Sequence, residues 1–349
     1  MIKNVFKKTA VFSLLLVLLN GCISQRDADC DGFLRLEFNY VGNTRLSDNL
    51  RDMQVYVFDS RTGVLAHVIP VTQASINSGY LNIRLPQGGE YTLVAWGASS
   101  ADMMQGGHKV VDMRNASAQE YAVGVQTGTT TLNSFRKMVR YTELGVGMLF
   151  RSGNGQGEIT PYDVQFDHLF HAAAQEIPIT AGWQTVPLDF WRNTSTLQIE
   201  IIGTEHLTEI DAPLHTFVTS NSASHYFDNE ICTHARRVRY APPYRAITDN
   251  EKHIDIKVHR LVIDRHRNTT EPVLLHLHHP VTGAELMEPL DVMEAILAVQ
   301  DNTGAPVWAT QEDIDRELEF PIRISFDTQL NVLITINDWV VRDLTPVLR

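Results

Sequence analysis

The residues of this 349-residue chain that could do chemistry are few, and they point to metals and thiols. His276-Leu277-His278-His279 holds two imidazoles at i and i+2, which a strand turns to one face while Leu275 and Leu277 take the other. Two such imidazoles can share a zinc ion, but a catalytic centre needs a third ligand and an open position. His259, His266 and Glu271 are near enough in sequence to offer that ligand, and no spacing selects among them. A solvent-facing pair on an amphipathic strand is the simpler account of His276 and His278, so neither a metal nor another cofactor is expected. Asp27, Asp29, Asp31 and Gly32 imitate the start of a calcium loop. Its twelfth position is Phe38, with Glu37 one place short, and a strand follows where a helix is required. An acidic, solvated spacer explains this run. Catalytic signatures are missing: the sequence has no Gly-x-Ser-x-Gly, His-Glu-x-x-His or Walker motif. The Gly-rich Gly153–Gly157 lacks a lysine and reads as a surface hairpin. No enzyme is expected.

Cys22 stands apart because of what precedes it. Lys3, Lys7 and Lys8 form a positive start, and Thr9 to Leu19 make an apolar run of 11 residues. A bilayer core needs roughly 20 apolar residues, so this run has the length of a signal peptide rather than a span. Leu19-Asn20-Gly21-Cys22 resembles a bacterial lipobox, with Leu at −3, a small residue at −1 and Cys at +1; Asn20 at −2 departs from the usual choice. The motif implies cleavage between Gly21 and Cys22 and thioether lipidation of Cys22. Each buried methylene contributes ~0.8 kcal/mol, so two or more acyl chains hold firmly. Cys30 and Cys232 then remain, and two readings stay open for them: a disulfide in an oxidising envelope, or two free buried thiols.

Charge narrows the class of partner. Lys and Arg number 29 against 41 Asp and Glu, a net charge of −12, and removal of residues 1–21 takes away three lysines and no acid. Phosphate binding needs clustered Lys and Arg, so nucleic acid is not an expected partner. With 44% hydrophobic and 20% charged residues the chain can bury a core, which excludes disorder. Its length suits about two domains.

The elements that must position these residues are mostly strands. Leu34, Leu36, Phe38 and Tyr40 alternate with Arg35, Glu37 and Asn39, the period of a half-buried strand. Gln54–Asp59, Tyr80–Leu85 and Tyr91–Trp96 continue the pattern, the last two joined as a hairpin through Gly88-Gly89. Further strands are expected near Leu149–Arg151 and Tyr162–Phe170. A boundary is expected around Gln175–Gly182. Beyond it, alternation resumes at Leu197–Ile201, Ile254–Val258, Val273–His278, Ile322–Phe326 and Val332–Ile336. Leu290–Val299 and Glu312–Glu319 read as short helices. The whole is an all-β chain of two tandem β-sandwiches with short helical insertions. Its expected parts are a signal peptide (1–21), a lipidated acidic spacer (22–31), and sandwiches over 32–176 and 177–349.

Several segments together resemble a known family. After the lipidated cysteine and the acidic Asp27-Ala28-Asp29-Cys30 come Leu34-Arg35-Leu36-Glu37-Phe38-Asn39-Tyr40 and Val55-Tyr56-Val57-Phe58-Asp59 with Gly63 beyond. Leu85-Pro86-Gln87-Gly88-Gly89-Glu90-Tyr91-Thr92-Leu93-Val94-Ala95-Trp96-Gly97 follows, then Phe166-Asp167-His168-Leu169-Phe170 and, near the end, Ile334-Thr335-Ile336-Asn337-Asp338-Trp339. This order resembles the FimB-type anchor subunits of Bacteroidales fimbriae, closely over about residues 20–100 and 160–200. The resemblance implies transthyretin-like sandwiches on an outer-membrane lipid anchor. It also implies a fimbrial anchor or accessory subunit that tethers a fimbrium and ends its growth, with stalk or accessory subunits as partners. Such subunits join by strand addition, in which backbone hydrogen bonds give adhesion and side-chain pockets give specificity. Trp339, Val340, Val341 and Leu344 are the expected contact, although Pro346 cannot donate to a ladder; an ordinary last strand is the plainer reading of that segment. The rival function is a carbohydrate-binding surface lipoprotein, for which Trp183 and Trp191 would have to form an exposed platform.

Overall fold

The computed structural model describes residues 31–42, 45–103, 107–116, 119–139, 167–207, 214–220, 224–232, 238–240, 245–247, 251–263 and 272–344. None of its described helices is long and apolar enough to cross a membrane.

The alternation at Leu34, Leu36 and Phe38 builds strand β1 (Asp31–Tyr40), whose inward side chains are buried while Arg35 and Asn39 stay exposed. The seven-stranded sheet around it also contains β2 (Asp52–Asp59), β3 (Leu65–Pro70), β4 (Tyr80–Pro86), β5 (Glu90–Ala98), β9 (Leu169–Pro178) and β10 (Trp183–Arg192), in the order β3-β2-β5-β9-β10-β1-β4. This sheet folds over on itself. β10 runs parallel to β1 over most of its length and meets β9 only at Trp191 and Arg192. Leu34, Leu36 and Leu188 therefore share one core with Val55, Val57 and Leu93 from the opposite layer. Two short helices, α1 (Leu46–Asn49) and α2 (Gln73–Ser78), add Leu46 and Ile76 to it. Thr72 caps α2 by accepting from the Ser75 N–H, and Gly79 ends it with φ 77°, a left-handed conformation that a Cβ would strain.

A second sandwich follows. Its larger layer is the six-stranded sheet β15-β16-β11-β19-β20-β21, made of β11 (Thr194–Ile202), β15 (Arg245–Ile247), β16 (Glu251–His259), β19 (Glu319–Phe326), β20 (Val332–Ile336) and β21 (Trp339–Leu344). The facing layer is β14-β12-β17-β18, made of β12 (His215–Ser220), β14 (Val238–Tyr240), β17 (Leu274–His278) and β18 (Leu290–Asp291). Leu197, Ile199, Ile254 and Ile256 pack between them against Val218, Leu275 and Leu277. The two helices expected here are present as α3 (Val292–Leu297), capped by Asp291, and α4 (Gln311–Arg316), held by a Thr310–Asp313 capping box. Both are shorter than the patterns that suggested them: Leu290 and Asp291 form β18, and Glu319 already belongs to β19.

A third layer ties the halves together. Strands β6 (His108–Ala116), β7 (Gln119–Val123) and β8 (Phe135–Val139) pair in the order β13-β8-β6-β7 with β13 (Ser224–His225), which comes from the second half of the chain. Phe135 packs on Tyr56 and Phe58 of the first sheet, while Val111 and Met138 reach the second core. Within this junction His108, Lys137 and His225 are wholly shielded from solvent. Burial holds all three well below their ordinary pKa. Burial also lowers His171 to about 4 and His168 to about 3. His171 Nε2 lies 2.8 Å from the Phe227 carbonyl, one more link between the halves.

The chain leaves the first sheet at Asn193 rather than at 176/177, because the connector carrying Pro178 and Gly182 joins two strands of the same sheet. Parallel pairing with β1, a contact distant in sequence, is what keeps β10 in the first sandwich. The stretch near Tyr162–Phe170 contributes strand only from Leu169 onward among described residues; Leu149–Arg151 and Gly153–Gly157 lie outside them.

Candidate functional site

The C-terminal hairpin offers the clearest surface for an interaction. Asn337 and Asp338 form its two-residue turn at φ 48° and 64°, and Ile336 pairs with Trp339. Positive φ at both turn residues matches the right-handed twist of the flanking strands. An irregularity follows between Ile334 and Thr335: Thr335 pairs with Val340 and Ile334 with Arg342, which leaves Val341 as the extra residue. β21 ends the six-stranded sheet, so among the described residues no strand pairs with its outer flank. Trp339 is 38% and Val340 63% exposed, whereas Val341 packs against the core. Leu344 stands opposite Val332 in the ladder. All four residues named from the sequence thus lie on one edge strand, and Pro346 is outside the described residues.

Beside this hairpin the sheet carries an open groove of ≈ 360 Å³, lined by Gln198, Glu200, Arg323, Thr335, Asn337 and Asp338 among others. Arg323 is held there by Glu200 and by Asp338 at 3.4 Å. The groove lining mixes these polar side chains with Pro321 and Ile322 and contains no aromatic side chain. Trp183 and Trp191 sit at opposite ends of β10, about 26 Å apart at ~3.3 Å per residue, so they do not form a shared platform. Trp183, 65% exposed, instead stacks on Phe33 at 5.1 Å.

Gly21, Cys22 and Cys30 lie outside the described residues. Cys232 is buried with its Sγ 3.6 Å from the Tyr226 hydroxyl. Of the calcium-like run, Gly32 is a strand residue on β1; a Cβ there would come within 2.2 Å of Ile179, which gives this glycine a packing role. Phe38 is a core residue edge-on to Phe190, and Glu37 faces Arg35 at 3.7 Å.

His276 and His278 share one face of β17, as the spacing requires, but they are half-buried rather than solvent-facing. His276 stacks on Phe217 at 4.7 Å and its Nε2 meets Thr219 Oγ1 at 3.0 Å. Glu285 stands beside both imidazoles, a neighbour that sequence spacing did not single out. The signal for it is the Pro280-Val281-Thr282-Gly283 turn, which reverses the chain so that Glu285 bridges back to His278. His266 and Glu271 lie outside the described residues, and His259 pairs with Thr194 on β16.

Comparison with protein families matches residues 26–345 to the family of fimbrillin-A associated anchor proteins Mfa1 and Mfa2. The chain belongs to this family. A comparison with curated proteins finds no match. Among solved structures it is similar to the fimbrial anchor protein Mfa2 of Porphyromonas gingivalis, at 17% identity and TM-score 0.56, covering 90% of this chain and 100% of that one. It is also similar to a candidate adhesin of Bacteroides ovatus, at 18% identity and TM-score 0.64 over 90% and 96% of the two chains. A third relative in fold is a Bacteroides thetaiotaomicron protein described as a candidate polysaccharide-binding protein, at 14% identity and TM-score 0.62 over 90% and 98%. Family membership gives the chain a fimbrial anchor or accessory role at the cell surface or envelope, in a family that is structural rather than catalytic.

Proposed function

We propose that this fimbrial anchor-family protein is a lipoprotein held in the outer membrane through Cys22, after cleavage behind Gly21. From there it tethers a fimbrium and terminates its elongation, with residues 22–31 as the spacer between lipid and β1. The observation that carries the contact half of this reading is the outer flank of β21, unpaired among the described residues, with Trp339 and Val340 exposed on that strand. An open edge supplies a row of backbone donors and acceptors that another subunit's segment can complete, while alternate side chains select the partner. The lipobox-like Leu19–Cys22 supports the anchoring half.

Cells carrying Cys22→Ala beside wild type test both halves. Acyl labelling of the protein should vanish, and long fibres should appear in the medium instead of on cells. Retained labelling would overturn the lipid anchor. Lost labelling with unchanged fibres would overturn the tether.

A further inference from the structure

Three donor atoms converge outside the proposed fimbrial contact, on the face of β17 opposite Leu275 and Leu277. The ligating atoms of His276, His278 and Glu285 all lie within 4.8 Å of one another. Glu285 Oε1 is 3.6 Å from His276 Nδ1 and 3.7 Å from His278 Nε2. These gaps exceed a charge-assisted hydrogen bond of ~2.8 Å. They approach the ~3.3 Å that separates two ligands placed tetrahedrally about a zinc ion at ~2.0 Å. We propose that His276, His278 and Glu285 form a zinc-binding site that fastens the two arms of the β17 hairpin to each other.

The surroundings prepare each ligand. His276 is fixed by the stacked Phe217 ring, which lies 11° from parallel, and its Nε2 meets Thr219 Oγ1. With Nε2–H donating to that hydroxyl, the Nδ1 lone pair turns toward Glu285, which is how an outer partner selects the tautomer of a metal-binding histidine. His278 Nε2 is shielded from solvent and has no hydrogen-bond partner among the described residues. Glu285 is pinned by its bridge to His278 and by the turn beneath it, where His279 Nδ1 accepts from the Val281 and Thr282 N–H groups. That bond also occupies the third imidazole of the motif, which separates the roles of His278 and His279.

Register supplies a further donor nearby, and an aromatic ring screens the neighbouring cation. Arg239 lies 3.7 Å above the Phe217 ring, on β14, which flanks β12 on the side away from β17, so Phe217 stands between this guanidinium and His276. His215 is directly across from His278 in the β12–β17 ladder and shares its face, leaving water or this imidazole for the fourth position. Two nitrogens and a carboxylate suit zinc, whereas calcium and magnesium take oxygen ligands.

Full-length protein in detergent, stripped of metal and titrated with zinc sulfate, provides the test, with cobalt as a spectroscopic substitute. Wild type should take up one equivalent that Glu285→Gln and His278→Gln each weaken at least tenfold, and saturation should raise its melting temperature by about 5 °C. Cobalt should give tetrahedral absorption bands in wild type alone. Glu285 has an exposed side chain outside the core, so Glu285→Gln keeps the fold even if His278→Gln does not. Equal uptake by wild type and Glu285→Gln, or no uptake by wild type, would overturn the site.

Discussion

Where β3 begins, the edge of a sheet is covered by a loop; along β21 no cover is present among the described residues. The Leu65 N–H donates to the Thr130 carbonyl at 2.8 Å and the Gly128 N–H to the Leu65 carbonyl at 2.8 Å, while the Leu132 N–H bonds Gly63 at 2.9 Å. The loop that makes these bonds is itself held inside: the Thr130 hydroxyl donates to Asp112 and accepts from the Gln126 N–H. β21 has no such cover among the described residues and exposes Trp339 and Val340 instead. A sheet edge that a fold has no use for is blunted, covered or charged, so exposed Trp339 and Val340 on an edge uncovered among the described residues mark a place where another chain can pair. The cover at β3 belongs to the same third layer that encloses His108, Lys137 and His225, which links its stability to their ionisation.

Acid should break the comparison most strongly, by loosening the cover while leaving β21 as it is. Four histidines, His108, His168, His171 and His225, are held below the ordinary value of 6.5 by burial. Each is neutral in the fold, whereas the unfolded chain protonates it near pH 6.5. Their contribution is complete above pH 6.5 and is lost as pH falls toward about 4 for His171 and about 3 for His168. The loss is about 1.4 kcal/mol per pH unit for each histidine. Urea unfolding followed between pH 7 and 4.5 should show this slope, with His171→Gln lowering it by about one proton. A flat profile would disprove the link. Hydrogen exchange should quicken at Leu65 before it does at Ile334.

A smaller effect is expected from Thr130→Val, which keeps the shape but removes both hydrogen bonds of a buried hydroxyl. It should cost about 1–3 kcal/mol, because Asp112 and the Gln126 N–H lose a partner without gaining water. Exchange at Leu65 would rise while fimbrial assembly stays intact; assembly failing with exchange unchanged would reverse the roles assigned to the two edges. Finally, Trp339→Lys combined with Val340→Lys places charge on the open edge without entering the core. Stalk-subunit association should fall about tenfold, or ~1.4 kcal/mol, with little change in melting temperature. Unchanged association would remove β21 as the contact.

Much of this was legible in the residues. Alternation at Leu34–Tyr40, Ile254–Val258 and Ile322–Phe326 was enough to give strands, because a strand's burial pattern depends on neighbours two positions away. The same locality put His276 and His278 on one face of a strand. By contrast, the strand β10 reads locally as the start of a new domain after Pro178 and Gly182, yet it lies parallel to β1, more than a hundred residues earlier. Nothing in a short window states such a partner. Glu285 joined the histidines through a turn, and the start of β3 was closed by a loop from Gly128 to Leu132. Sequence alone therefore determined the all-β character, the strand faces and the lipobox-like start, since each follows from residue type and spacing. Tertiary structure decided which sheet each described strand joined, which strands ended those sheets and which carboxylate met the imidazoles, because those depend on register between segments that only folding brings together.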